Sequence, residues 1–319
     1  TIGSSNVALG YFAMRSNTTG ELNIAIGRET LFTNTIGVRN VAIGRRTLYS
    51  NTTGSYNVSL GQESMCHNTT GSYNVAVGYE ALRANTTGQQ NVALGYRALY
   101  ANTTANYNSA IGFETLFSNT TGQHNIALGF RALKCNTTAS SNIGIGYEAL
   151  FKNTTGKCNV AIGHCSMTCN LTGSYNTGLG RQSLRLNTIG CNNVAIGNSS
   201  LGVNTTGNFN VAVGSSAMGL NTTGERNTGV GNYALYKNTT GTDNVAVGLC
   251  ALCNNICGSF NTAIGRKALI CNTTGGCNTA LGNSTLLCNT TGIFNTAVGN
   301  SSSQNTTTGS YNTTLGSQS

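Results

Sequence analysis

The sequence predicts an all-β fold with short helical turns: a parallel β-solenoid, or β-roll, of 17-residue coils in about 19 layers. Three observations carry it. The Asn that opens the phrase Asn-Val-Ala-aliphatic-Gly recurs at Asn6, Asn23, Asn40, Asn57, Asn74 and every seventeenth residue to Asn312, nineteen starts without an insertion or deletion. Such strict self-similarity marks one repeat array over 1–319 rather than the two domains that this length would ordinarily suggest. Composition agrees: Gly numbers 42, Pro is absent, charged residues are 8%, and no stretch approaches the ~20 apolar residues of a membrane helix.

Numbered from the opening Asn, the repeat reads N-[VIT]-[AG]-[ILV]-G-x-x-[AST]-[LM]-x-x-N-T-T-G-x-x in most copies. Positions 1–5 alternate as a short strand should, with 2 and 4 on one face and the small residue at 3 on the other. Position 4 is aliphatic from Leu9 and Ile26 to Val298 and Leu315, and position 9 is Leu or Met in every copy but the last, Ser303. These two ranks are the expected core. The segment around position 9 is too short for an independent helix and reads as one helical turn or an irregular arc that carries the Leu inward. Gly at position 5 in every copy marks backbone that a Cβ would forbid.

Parallel stacking at ~4.8 Å per layer gives a rod on the order of 90 Å long. Two large apolar side chains per coil cannot offset the ordering entropy of one coil, so stability comes from repeated interfaces. The chain starts at repeat position 13 with Thr1 and stops at position 8 with Ser319. The expectation is therefore a fragment of a longer fibre or a unit that stacks end to end.

Asn holds position 12 from Asn17 to Asn289. Fourteen of these are Asn-x-Thr sequons, the candidate sugar acceptors Asn17, Asn51, Asn68, Asn85, Asn102, Asn119, Asn136, Asn153, Asn170, Asn204, Asn221, Asn238, Asn272 and Asn289. At Asn34, Asn187 and Asn255 the hydroxyl residue becomes Ile36, Ile189 and Cys257, yet the Asn stays. The Asn therefore also serves the backbone, as a stacked amide ladder or turn cap. A ladder Asn inside the coil cannot carry a sugar, so the two roles compete unless the corner projects outward. Asn305, with Asn198, Asn283 and Asn300, forms sequons outside that register and is a further acceptor candidate.

Variable positions form ladders of their own. Position 7 reads Glu29, Arg46, Glu63, Glu80, Arg97, Glu114, Arg131, Glu148 in successive coils, a solvated charge ladder rather than a general acid–base pair. Position 6 supplies the aromatic strip Tyr79, Tyr96, Phe113, Phe130 and Tyr147, a self-stacking cover or a binding strip for a filament or glycan. Cys271 and Cys288 both hold position 11 of adjacent coils, at a spacing compatible with a disulfide. Cys135, Cys158, Cys165 and Cys169, and Cys250 and Cys253, are further disulfide candidates of unassigned connectivity. The Cys250, Cys253, Cys257 spacing lacks the second CxxC of a zinc site. No catalytic residue, metal ligand or cofactor site is read from the sequence.

The net charge of +9 is dispersed over many coils without a nucleic-acid module, so no nucleic-acid partner is expected. Twelve cysteines together with many sequons point to an oxidising, extracellular or surface setting.

The runs NVAIG, NVALG and NTAIG, each followed by a small residue, Leu and NTTG, resemble the β-roll heads of YadA-type trimeric autotransporter adhesins. They are also similar to the short-repeat shafts of phage and giant-virus tail-fibre-like proteins. The resemblance covers essentially the whole chain. It implies an extracellular fibrous or adhesive role, often trimeric, with small position-3 residues such as Ala8, Ala25 and Gly144 permitting close chain contact. The leading expectation is a non-enzymatic structural subunit of an extracellular fibre that self-associates end to end or laterally, with glycans and disulfides as covalent additions. The alternatives are an adhesin or viral shaft that binds surface glycans or receptors, and an ice-binding solenoid presenting the Thr ranks of positions 13 and 14.

Overall fold

The computed structural model describes residues 3–319 and is a parallel β-solenoid. Its contacts divide it into two units, Thr1–Cys158 and Asn159–Ser319. The first contains β1 (Val7–Leu9), β2 (Ile24–Ile26), β3 (Val41–Ile43), β4 (Val58–Leu60), β5 (Val75–Val77), β6 (Val92–Leu94), β7 (Ser109–Ile111), β8 (Ile126–Leu128) and β9 (Ile143–Ile145). The second contains β10 (Val160–Ile162), β11 (Thr177–Leu179), β12 (Val194–Ile196), β13 (Val211–Val213), β14 (Thr228–Val230), β15 (Val245–Val247), β16 (Thr262–Ile264), β17 (Thr279–Leu281), β18 (Thr296–Val298) and β19 (Thr313–Leu315). Every strand holds repeat positions 2–4. Within each unit successive strands pair in parallel with residue i opposite i+17, so Val41 faces Val58 in the first and Thr262 faces Thr279 in the second.

Positions 6–11 form a run of turns, the irregular arc of the two alternatives, and the short helical turns expected with the fold are not present among the described residues. The cause lies in the backbone. Positions 7 and 9 adopt left-handed φ, as at Glu80 (+52°) and Leu82 (+52°), and this alternation prevents helical hydrogen bonding while it curls the chain. An L-residue in this region costs roughly 1–2 kcal/mol. At position 9 that cost is offset by burial, because the turn aims Leu82, Leu99 and Leu116 into the interior, where none is exposed. Gly at position 5 has φ between +120° at Gly316 and +136° at Gly163, open only to residues without a Cβ.

The core differs from the expected one at position 4. Position 9 is buried, but its partners are the small residues at positions 3 and 8, such as Ala76, Ala81, Ala93 and Ala98, all fully buried. Position 4 points outward with position 2: Ile43, Ile111, Leu128 and Ile162 are exposed. The coil is narrow. Leu or Met at position 9 takes the volume opposite the strand, and only small residues fit beside it, Ala, Gly or Ser59 at position 3 of the buried strands and Ala, Ser or Thr at position 8; a Cβ on Gly144 would already meet the Leu133 side chain at 3.2 Å. The small residues therefore pack on their own chain and do not make room for a neighbouring one.

The Asn-Thr-Thr-Gly corner is fixed by converging donors. The amides of Thr52, Thr53 and Gly54 all point at the carbonyl oxygen of Thr69 in the next coil, at 2.9, 3.2 and 3.3 Å. The Thr52 hydroxyl donates to the same oxygen at 3.1 Å.

Candidate functional site

The inward turn of position 3 leaves a continuous aliphatic surface on the outside of each unit's sheet. In the first unit every residue at positions 2 and 4 of the strands is Val, Ile or Leu except Ser109, and none is buried. Among the most open are Ile126 at 45% and Leu128 at 42% exposure, side by side on β8. In the second unit position 4 stays aliphatic, while position 2 mixes Val with Thr and becomes Thr262, Thr279, Thr296 and Thr313 at the last four strands. Soluble monomers rarely expose contiguous apolar patches larger than a few hundred Å². The in-register rows of branched side chains in each unit form such an exposed apolar surface.

The position-12 Asn residues are inside. Asn17 is 8% exposed; Asn51, Asn68, Asn85, Asn102, Asn119, Asn136, Asn153, Asn170, Asn204, Asn221, Asn238, Asn272 and Asn289 are fully buried. Asn51 Nδ2 donates to Asn34 Oδ1 of the preceding coil at 2.8 Å and to the Gly54 carbonyl at 2.9 Å, and the pattern repeats along each unit. These fourteen nitrogens are therefore not sugar acceptors in the folded chain. From Asn51 onward they are fully buried, and the amide protons go to the preceding ladder Asn and to the corner carbonyl; Asn17, at the start of the ladder, donates to the Gly20 carbonyl. The ladder also explains why Asn34, Asn187 and Asn255 persist without a hydroxyl residue, while Ile36 and Ile189 at position 14 face solvent. A second ladder runs through position 1, where the backbone amide of Asn57 donates to Asn40 Oδ1 at 3.0 Å and its side chain to the Gly71 carbonyl at 2.9 Å.

The sequons outside that register are different: Asn198, Asn283, Asn300 and Asn305 are exposed. In the coil of Asn305 the Asn has slipped to position 11 and Thr306 occupies position 12. The buried ladder therefore stops at Asn289, whose Oδ1 is left without a donor.

The charge ladder forms. Arg46 lies 3.8 Å from Glu29 and 3.6 Å from Glu63, Arg97 lies 2.6 Å from Glu80, and Arg131 lies 3.1 Å from Glu114. The like-charged neighbours Glu63 and Glu80 are held by a residue that the position-7 pattern missed: Arg83, at position 10, reaches Glu63 at 3.1 Å and Glu80 at 3.5 Å. Lys134 does the same for Glu114 at 2.8 Å. Burial alone would raise the Glu114 carboxyl, but Lys134 and Arg131 hold it below the usual carboxylate range.

Tyr79, Tyr96, Phe113, Phe130 and Tyr147 come together as one stack, with centroids 5.1–5.5 Å apart and planes within 11°. Each inner ring has both faces covered by its neighbours, so the strip presents edges to solvent. Arg97 and Arg131 lie against Tyr96 and Phe130 at 5.1 and 4.9 Å. Shorter stacks at position 17, Tyr56–Tyr73 and Tyr107–His124, were not singled out in the sequence. Their signal was the same 17-residue spacing.

All twelve cysteines are free thiols. Cys271 and Cys288 are neighbours at position 11, and burial followed by the adjacent Cys288 pushes the Cys271 thiol up. Cys135 and Cys158, at positions 11 and 17, lie in the first unit, while Cys165 and Cys169, at positions 7 and 11, lie in the second. Cys250 and Cys253 share one arc. Among the described residues no three His, Cys, Asp or Glu side chains gather in a group able to hold a metal, and no helix is long and apolar enough to cross a membrane. No known family model, curated protein or solved structure matches the chain.

Proposed function

We propose that the chain is a non-enzymatic structural subunit of a fibre at a cell or virion surface, or free outside the cell, and that its copies associate laterally through the aliphatic sheet face. The observation that carries this reading is the outward position of the branched side chains at repeat positions 2 and 4. Covering them with the same strip of a second copy removes apolar area at about 25 cal/mol per Å². Strand spacing is common to both strips, so side chains interdigitate in register. The charge and aromatic ladders serve the coil: they fix the register of neighbouring layers and cover the turn arcs.

The surface setting rests on the resemblance to adhesin heads and tail-fibre shafts; the twelve free thiols add no disulfide to it. Sequon density adds little to it, because position 12 has a structural reason for its Asn. An adhesive shaft is the second reading, supported by the exposed ring edges of the Tyr79–Tyr147 stack. Of the two Thr ranks considered for ice binding, position 13 spends its hydroxyls on the next coil, as Thr69 does on the Thr86 carbonyl at 3.0 Å. One exposed rank remains.

Electron microscopy and light scattering of the purified chain separate these readings. Paired or bundled particles at micromolar concentration support the structural role. Monodisperse single chains that capture glycans or cells would replace it with the adhesive one, and thermal hysteresis would replace it with ice binding.

A further inference from the structure

The segment Cys250-Ala251-Leu252-Cys253 places two thiols at repeat positions 7 and 10 of one coil. Those positions converge wherever the arc carries groups large enough to meet. Glu80 and Arg83 touch across the same pair of positions at 3.5 Å, and in the coil before the cysteines the rings of Tyr233 and Tyr236 meet edge-on at 5.2 Å. The backbone is the reason. Cys250 and Leu252 adopt left-handed φ of +56° and +49°, which buries Ala251 and Leu252 and leaves both cysteines on the outer side of the curl. The two ends are pinned to the preceding coil: the Cys250 amide donates to the Asn232 carbonyl at 3.0 Å, and the Cys253 carbonyl accepts from the Lys237 amide at 2.9 Å.

Both thiols are free and partly exposed. Among the described residues no third metal-ligating side chain joins them; Cys257, on the far side of the Asn255 corner, is exposed and outside the pair. Two sulfurs on adjoining positions of a rigid arc, with no metal to share, have the arrangement of a dithiol.

We infer that Cys250 and Cys253 are a thiol–disulfide exchange site that accepts a small-molecule disulfide and closes into a disulfide within one coil. Burial, followed by the neighbouring Cys250, pushes the Cys253 thiol up to about 11, so Cys253 remains protonated at neutral pH and Cys250 attacks first. The Cys250 thiolate attacks one sulfur of R–S–S–R, forms Cys250–S–S–R and expels RS⁻, which takes a proton from water. Cys253 then gives its proton to solvent. Lys237, the cation that most lowers the Cys253 thiol, stabilises the thiolate as it forms. That thiolate attacks Cys250 Sγ, breaks the bond to R–S and releases the second thiol. In sum the dithiol loses two electrons and two protons, and one disulfide is reduced to two thiols. The inference does not depend on the lateral association proposed above.

The test uses the full reduced chain, oxidised glutathione as the disulfide, alkylation of residual thiols, and mass mapping of the peptide between Lys237 and Arg266, which holds Cys250, Cys253 and Cys257. The wild type is expected to lose the Cys250 and Cys253 thiols without retaining glutathione at either residue. Cys253→Ser retains one glutathione on Cys250. Cys250→Ser slows thiol loss at Cys253 by about tenfold or more, while exposed Cys257 reacts alike in all three chains and serves as the internal reference. Ser at position 7 is native at Ser199, Ser216 and Ser301, so Cys250→Ser keeps the arc; an unchanged melting curve verifies that both variants fold. A Cys253→Ser chain without an adduct on Cys250, or a wild-type bridge to Cys257, overturns the assignment.

Discussion

Asn102 Nδ2 donates to Asn85 Oδ1 at 2.9 Å, and Asn85 Nδ2 in turn donates to Asn68 Oδ1 at 2.8 Å, so Asn85, inside the buried ladder, is both donor to one coil and acceptor from the other. The corner of each coil is thereby tied to two others without any apolar contact.

Asn85→Ala removes three hydrogen bonds at once and leaves one Asn102 amide proton and the Asn68 carbonyl without partners inside the coil, while Asn102 keeps its bond to the Ala105 carbonyl. A buried polar group without a partner costs about 1–3 kcal/mol, and two are created. The variant is expected to lose on the order of 2–4 kcal/mol in urea denaturation. A loss within error of zero contradicts the ladder.

Thr306→Asn acts in the opposite direction. It restores position 12 next to Asn289, whose Oδ1 has no donor. The new amide is expected to stabilise the second unit by about 1 kcal/mol, read as a raised melting temperature against the wild type.

Arg83→Leu leaves Glu63 and the buried Glu80 facing one another. At neutral pH the variant is expected to melt below the wild type. Its deficit shrinks as pH falls through the carboxylate range, because protonation removes the repulsion. The wild type behaves oppositely there: Glu114 is held below its unfolded value, so its contribution is full at neutral pH and is lost on acidification. Melting curves at a series of pH values read both signs.

Gly95→Ala and Gly88→Ala separate two kinds of glycine. Gly95 has φ +130°, and a Cβ there would also strike the Gly112 carbonyl, so a loss of about 3 kcal/mol or more is expected. Gly88, at position 15, has ordinary φ; a Cβ there would also press on Asn85 Oδ1 and the Ala105 carbonyl, but Ala already stands at that position at Ala105 and Ala139, so the corner yields to it. Its loss is expected to be under about 1 kcal/mol, with thermal denaturation as the readout.

Much of this structure was legible because a constant 17-residue spacing decides which side chains are neighbours. It gave the parallel register, the inward Leu at position 9, the position-7 ion pairs and the stack from Tyr79 to Tyr147. It could not say which face of the strand lies inside. Alternation separates Ala76 from Val75 and Val77, but the choice depends on how much room Leu82 and its equivalents leave across the coil, which the repeat does not display. Arg83 was missed because positions 7 and 10 converge only through left-handed residues that hydrophobic periodicity does not reveal. The sequons misled for a related reason: Asn-Thr-Thr is both an acceptor motif and the residue set that closes this corner.

The central claim is that the outward aliphatic strip joins copies of this chain, and sedimentation of a double variant on β8 tests it most directly. Ile126→Lys with Leu128→Lys places two charges on the face without touching the interior, since both side chains are exposed. The wild type is expected to sediment as a concentration-dependent oligomer, and the double variant as a monomer with an unchanged circular dichroism spectrum. A wild type that stays monomeric from micromolar to millimolar concentration, or a double variant that assembles as the wild type does, contradicts the account.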